Sequence, residues 1–283
     1  MAMQDRVSTC STALLRAQMA KSPVSTPLKA ETTHGPDELR KRGWAIPAVY
    51  VGNRRDVMLD QRWTSQVGQD RTIFHLFQGK EGGYFVDLAA NDAVLISNTL
   101  TLEQEYGWNG LCVEANPSYF NLLYQRRCQV VQAAVGARDN EEVSFNFRNG
   151  MGGIVGDGFD NKQKEDSTSL LLTVSVGHMF LDLSVPAVID YISLDIEGAE
   201  QWVFESFPWK DYTFLSMTVE RPKDKLRQLL AENGYVYICN HGDDGDQLWL
   251  HSTFPNFQKA VSSLHLDDKE HPSCRGNWIH TMF

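Results

Sequence analysis

The segment Gly83-Tyr84-Phe85-Val86-Asp87-Leu88-Ala89-Ala90-Asn91-Asp92 constrains this chain more than any other. An apolar run carries one carboxylate and breaks at once into small residues, the pattern of a buried strand that ends in a tight turn. Ser97-Asn98-Thr99 and an amphipathic run to Gly107 follow, which reads as a helix. A second apolar run, Gly110-Leu111-Cys112-Val113-Glu114, again ends in an acid. In an open α/β sheet, a strand, tight turn and helix of this kind seat a nucleoside-like ligand at the carboxyl ends of the strands.

The rest of the chain continues the alternation. Apolar runs at 129–133, 188–194 and 214–219 suit strands covered on both faces. Helical patterns stand between them: one after Pro117, one over 199–207 stopped by Pro208, and one over 223–233 stopped by Gly234. The runs at 235–239 and 247–252 are joined by a short turn-rich connection and are expected to pair antiparallel. Residues 142–147 and 169–176 read as antiparallel strands of an insertion around a glycine-rich loop over 150–158. The expected fold class is α/β, a Rossmann-like doubly wound, mostly parallel sheet with an antiparallel C-terminal hairpin strand.

At 283 residues the chain can bury a sizeable core, and one domain with extensions is the simplest partition. The boundaries read as a flexible N-terminal extension over 1–45, the domain over 46–255, and a C-terminal extension over 256–283. That last segment is expected to wrap the domain, close the substrate pocket or pair with a second subunit in a homodimer. A net charge of −10 argues against a nucleic-acid partner, because phosphate binding needs a basic face. No run of about 18 apolar residues exists, so no membrane span is expected. Cys10, Cys112, Cys128, Cys239 and Cys274 are scattered, with neither zinc spacing nor a disulfide framework. Cys112 and Cys239 sit in apolar runs and read as small core residues in a reducing compartment. A soluble, cytoplasmic protein is expected. The Ser-, Thr- and Ala-rich residues before Pro36, with few acids ahead of Glu31, leave organellar targeting open.

At its motifs the chain resembles the FkbM-type S-adenosylmethionine-dependent methyltransferases. Their pattern runs FVDLGANDG, SNT, then LE…GW-G-LC-(I/V)-E-x-NP. Here it stands as FVDLAANDA from Phe85 to Ala93, then Ser97-Asn98-Thr99, Leu102-Glu103, Gly107-Trp108-Asn109-Gly110, and Leu111 to Pro117. Ser65-Gln66-Val67-Gly68-Gln69-Asp70 and the block from Tyr191 to Glu200 also fit. The resemblance implies S-adenosylmethionine as cofactor and S-adenosylhomocysteine as product. It implies that Asp87 and Asn91 orient the methionine end, near Ala89, and that Ser97 and Asn98 also contact the cofactor. It implies Glu114 as the ribose ligand, flanked by Ala115 and Asn116, Ala134 at the adenine, and Gln69 over the cofactor mouth. Ala89 and Ala93 depart from the pattern's glycines, so the backbone is expected to approach the cofactor less closely. Without the pattern, Asp87 and Asn91 would read as an Asx turn.

The block Asp195-Ile196-Glu197-Gly198-Ala199-Glu200 ends the 188–194 strand, beside the place where a methyl group would face an acceptor. Asp195, Glu197 and Glu220 are the candidate catalytic carboxylates, and His178 a candidate base. Together the carboxylates could form an all-oxygen site for Mg²⁺ or Ca²⁺, so a divalent metal is left open but not expected. The plainer alternative has Glu200 capping the helix, Glu197 paired with an arginine, and Asp195 alone at the cofactor. The expected acceptor is a hydroxyl on a sugar or small metabolite, a small-molecule or glycan substrate. The alternatives are an amine, methylated on nitrogen, or a binding protein of the same fold without catalysis. No G-x-G-x-x-G follows the first strand, which disfavours a dinucleotide enzyme.

Overall fold

A computed structural model of the chain describes residues 31–34, 48–51, 63–242 and 245–264. The readings placed on 1–30 and 265–283, with Cys10 and Cys274, lie outside the described residues. Along the chain, β1 (Glu31–His34) and β2 (Ala48–Val51) precede α1 (Gln69–Leu76). The expected unit follows as β3 (Tyr84–Leu88), α2 (Leu100–Tyr106), β4 (Asn109–Glu114), α3 (Phe120–Leu123) and β5 (Gln129–Gln132). Next come β6 (Ala134–Gly136), β7 (Glu142–Asn146), β8 (Gly153–Ile154), β9 (Thr168–Ser175) and α4 (Val176–Asp182). The chain then runs through β10 (Val188–Leu194), α5 (Glu200–Phe204), β11 (Thr213–Val219), α6 (Asp224–Glu232), β12 (Tyr235–His241), β13 (Asp246–His251) and α7 (Phe257–Ser263).

Among the described residues, nine strands form one sheet in the order β1-β2-β5-β4-β3-β10-β11-β13-β12. β3 pairs in parallel with both β4 and β10, and β10 with β11, whereas β13 runs antiparallel to β11 and β12. The chain moves outward from β3 to β5 and then returns to β10, so the strand order reverses between β3 and β10. An open sheet leaves a crevice at the carboxyl ends of its strands at such a point. Each face carries a core. One is built on Val86, Leu88, Ile192, Leu194 and Met217, and the other on Phe85, Tyr191, Leu248 and Leu250, all buried. This two-sided burial explains the near-continuous apolar runs of β3, β10 and β11.

The insertion makes a second sheet, β6-β9-β7-β8, in which β7 and β9 pair antiparallel as expected and β6 joins β9 in parallel. Two expectations fail. β1 falls in the segment read as a flexible extension, yet it pairs with β2, and β2 pairs antiparallel with β5. The cysteine reading fails as well: Cys112 and Cys128 form a disulfide, and Cys239 is also disulfide-bonded. β4 and β5 lie side by side, with Cys112 opposite Val130, which brings Cys128 within 6.0 Å Cα to Cα. A disulfide persists in oxidising surroundings, so the expectation of a reducing compartment loses its basis. Among the described residues, no helix is long and apolar enough to cross a membrane.

Candidate active site

The turn after β3 is held in a conformation that most side chains avoid. Ala89 has φ 64° and Asn91 φ 51°. This geometry lets Ala90 N donate to Val113 O (2.9 Å) and Asn91 N donate to Glu114 Oε2 (2.9 Å). Asn116 N donates to the other carboxylate oxygen, Oε1, at 2.7 Å. Asn116 Oδ1 in turn accepts from Ser118 N, capping the short helical turn that begins at Pro117. Burial pushes the Glu114 carboxyl up to about 7, although these backbone amides pull it down.

Behind this turn lies a buried polar network. Arg126 and Glu103 are both fully buried and paired at 3.3 Å. Arg126 also donates to Ser97 Oγ and Thr99 Oγ1, and Thr99 Oγ1 donates to Asp87 Oδ2 at 2.6 Å. Burial raises the Asp87 carboxyl, while the charge of Arg126 and the Thr99 hydroxyl oppose the rise. Sequence reasoning passed over Arg126 and Thr99. The signal was the acid of Leu102-Glu103 in a helix whose other buried residues are apolar or small, since a buried carboxylate requires a partner. Asn98 Nδ2 donates to Ser193 Oγ (2.9 Å), while its Oδ1 is buried without a hydrogen-bond partner.

These residues surround a cavity with ≈ 970 Å³ of empty space, part of it open to solvent, at the carboxyl ends of β3, β4 and β10. The wall contains Asp87, Ala89 and Asn91, then Ser97 and Asn98, then Glu114, Ala115 and Asn116. Gln69, Ala134, Asp195 and Glu197 also line it, so the residues read from sequence as cofactor contacts all meet in one place. Phe145, Gly150, Gly153 and Ile154 of the insertion form its roof. The roof rests on the floor by backbone contact. Asp160 N donates to Glu197 O (3.0 Å), and a Cβ on Gly153 would stand 2.9 Å from Glu197 Cβ.

At the β10 end the wall is acidic. Burial and the neighbouring Glu220 charge raise Asp195 well above the ordinary carboxylate range, and Glu220 hydrogen-bonds its carboxyl. Glu197, with φ 56°, is pushed up to about 7 by burial and by Glu220, with Arg221 opposing. Glu200 Oε1 accepts from Ile196 N and Gly198 N, so it ties down the turn between β10 and α5 rather than capping the helix it begins. Carboxylate oxygens of Asp160, Glu197 and Glu220 lie within 4.8 Å of one another. Arg221 reaches all three, with Asp160 at 2.9 Å and Glu197 at 3.8 Å. The cluster is thus an ion-pair network around a guanidinium.

Glu220 stands behind Asp195, outside the cavity wall. His178 requires correction. It lies on α4 away from the cavity, with Nδ1 2.7 Å from Asp139 Oδ2 and Nε2 3.7 Å from Asp182 Oδ2. A short helix that follows a strand in sequence need not end near the crevice; α4 leads into the starting end of β10, opposite the site. His241 ends β12 fully buried, and burial lowers it to about 4.

Comparison with known proteins adds the following. The methyltransferase FkbM domain matches residues 87–237, more than half of the chain. No curated protein is similar to it by sequence. Among solved structures, a precorrin-6y C5,15-methyltransferase from Geobacter metallireducens GS-15 is similar at 12% identity and TM-score 0.36, covering 68% of this chain and 90% of its own. The METTL16 methyltransferase domain is similar at 12% identity and TM-score 0.39, covering 77% of each chain. Both likenesses are remote.

Proposed function

The chain belongs to the FkbM methyltransferase family, and from that premise we propose that it transfers the methyl group of S-adenosylmethionine to an uncharged hydroxyl of a sugar or small metabolite. The cavity fits the cofactor on its own chemistry. The unpartnered Asn98 Oδ1 offers an acceptor to the methionine ammonium, and Asp87 adds negative charge behind it. Glu114 uses one contact per oxygen on backbone amides and keeps further lone pairs for ribose hydroxyls. Ala134, Phe145 and Ile154 provide an apolar site for the adenine ring.

When bound, the cofactor supplies an activated methyl on a good leaving group. The chain's own part is to hold the acceptor in line and to take its proton. Asp195 and Glu197 are suited to the second task. Their presence in the same wall as Glu114, both raised by burial and neighbouring carboxylates and Glu197 to about 7, is the observation that carries this reading. A base that titrates near the working pH is the most effective. The same negative wall repels phosphorylated or carboxylated acceptors. It would also attract an ammonium, which is the observation that favours an amine as the second reading.

The test is transfer of labelled methyl from S-adenosylmethionine to matched neutral alcohols, free sugars, sugar phosphates and primary amines. Label in neutral hydroxyl acceptors, lost in Asp195→Asn, is the expected result. Label confined to amines would replace the oxygen reading with the nitrogen one.

A further inference from the structure

Resting on that methyltransferase reading, we propose that the carboxylate wall at the end of β10 selects the cofactor by charge. It favours the sulfonium of S-adenosylmethionine over the neutral thioether of S-adenosylhomocysteine, so methyl transfer itself weakens the hold on the product.

Charge converges on this wall from several elements. Asp195 and Glu197 line the cavity where the β10 strand ends. Glu220, at the end of β11, hydrogen-bonds Asp195, and Asp246, at the start of β13, adds negative charge beside it. Glu200 contributes from α5 and Asp160 from the roof, both raising Glu197. Among the described residues, two cations face this group. Arg221 is half exposed and already engages Glu220, Asp160 and Glu197. Lys223 donates its Nζ to the carbonyls of Gly158 and Gly198. Six acids against two bases leave the wall negative once its carboxyls ionise.

A fixed positive charge on a ligand is stabilised by each ionised carboxylate nearby, and most strongly where water is excluded; a neutral ligand gains nothing comparable. Burial and the neighbouring carboxylates raise Asp195 well above the ordinary carboxylate range and push Glu197 up to about 7. A sulfonium draws them into the ionised form, so its binding releases more protons than binding of the thioether. The two ligands share their adenosine and amino-acid parts. The hydrogen bonds of Glu114 and Asp87 to those shared parts therefore cancel in the ratio of affinities, while their charges add to the attraction for the sulfonium. The share of the pH dependence that belongs to the acidic wall is the part that Glu197→Gln removes.

The experiment is calorimetric titration of the whole chain with S-adenosylmethionine and with S-adenosylhomocysteine at pH 6 and pH 8, in buffers of different ionisation enthalpy. The preference for the sulfonium should rise about fivefold from pH 6 to pH 8, with the extra proton release seen only for that ligand. Glu197→Gln should flatten this rise. Arg221→Gln, which removes a positive charge outside the cavity, should increase the preference at pH 8 and gives an independent arm if the first variant misfolds. Binding of both ligands at a pH-independent ratio overturns the proposal alone. Failure of both ligands to bind overturns the methyltransferase reading together with it.

Discussion

Ala89 shows how one side chain is accommodated at a position better suited to glycine. At φ 64° a residue with a Cβ is strained by roughly 1–2 kcal/mol. Glycine would remove that strain but lose about 0.4–1 kcal/mol through greater freedom in the unfolded chain. Ala89→Gly should therefore stabilise the protein by about 0.5–1 kcal/mol, read as a higher urea midpoint at unchanged slope. Ala93, the other departure from the family pattern, is fully buried and lies outside the left-handed region. Glycine there should destabilise by roughly 0.5–1 kcal/mol, and equal effects at the two sites would contradict the distinction. The expectation of a less close backbone approach thus applies at Ala89, which lines the cavity, and not at Ala93.

Among elements, the end of β4 and its connection to β5 carry the residues proposed for the ribose. Glu114 ends β4, Ala115 and Asn116 follow it, and the Cys112–Cys128 disulfide spans the connection with a sequence separation of 16. A loop of this length, held closed, contributes about 3 kcal/mol by restricting the unfolded chain. The double variant Cys112→Ser, Cys128→Ser should lose about that much in denaturant unfolding, and a change under about 1 kcal/mol would mean that the bridge does not restrict the unfolded chain. The bridge was not legible in the sequence, because a spacing of sixteen carries no signature and the pairing exists only once β4 and β5 are neighbours. β1 escaped for the same reason: a four-residue strand gains its stability from a partner far along the chain. By contrast β3, α2, β4, β10 and the β12–β13 hairpin were readable to within two residues, since their apolar periods and turn residues are local.

For the whole molecule, the balance of titrating groups sets how stability varies with pH. Burial pushes the Glu114, Glu197 and Glu200 carboxyls up to about 7 in the folded chain, against an ordinary value of 4.5. Across that window the folded chain holds more protons, so the stability they contribute falls as pH rises and is gone above about 7. His241 works in the opposite sense, at about 4 when folded against 6.5, and adds stability as pH rises between those values. Above pH 6.5 only the carboxyls remain, so the ligand-free protein should melt at a lower temperature at pH 8 than at pH 6.5. A flat or rising melting temperature over that interval would contradict the assignment of three raised carboxyls.

The candidate site was largely legible because its residues cluster in motif blocks at strand ends; His178 was not, since only the direction of β9, α4 and β10 decides which end of the sheet it reaches. The central claim is that Glu114 holds the ribose of an adenosyl cofactor in this crevice. It is tested most directly by calorimetric titration of the chain and of Glu114→Gln with S-adenosylhomocysteine at pH 8. The account predicts micromolar binding to the chain and a loss of about tenfold to a hundredfold in the variant, the range for charge-assisted hydrogen bonds. Equal affinity in the two proteins would remove Glu114 from the site, and no binding to either would remove the cofactor from the account.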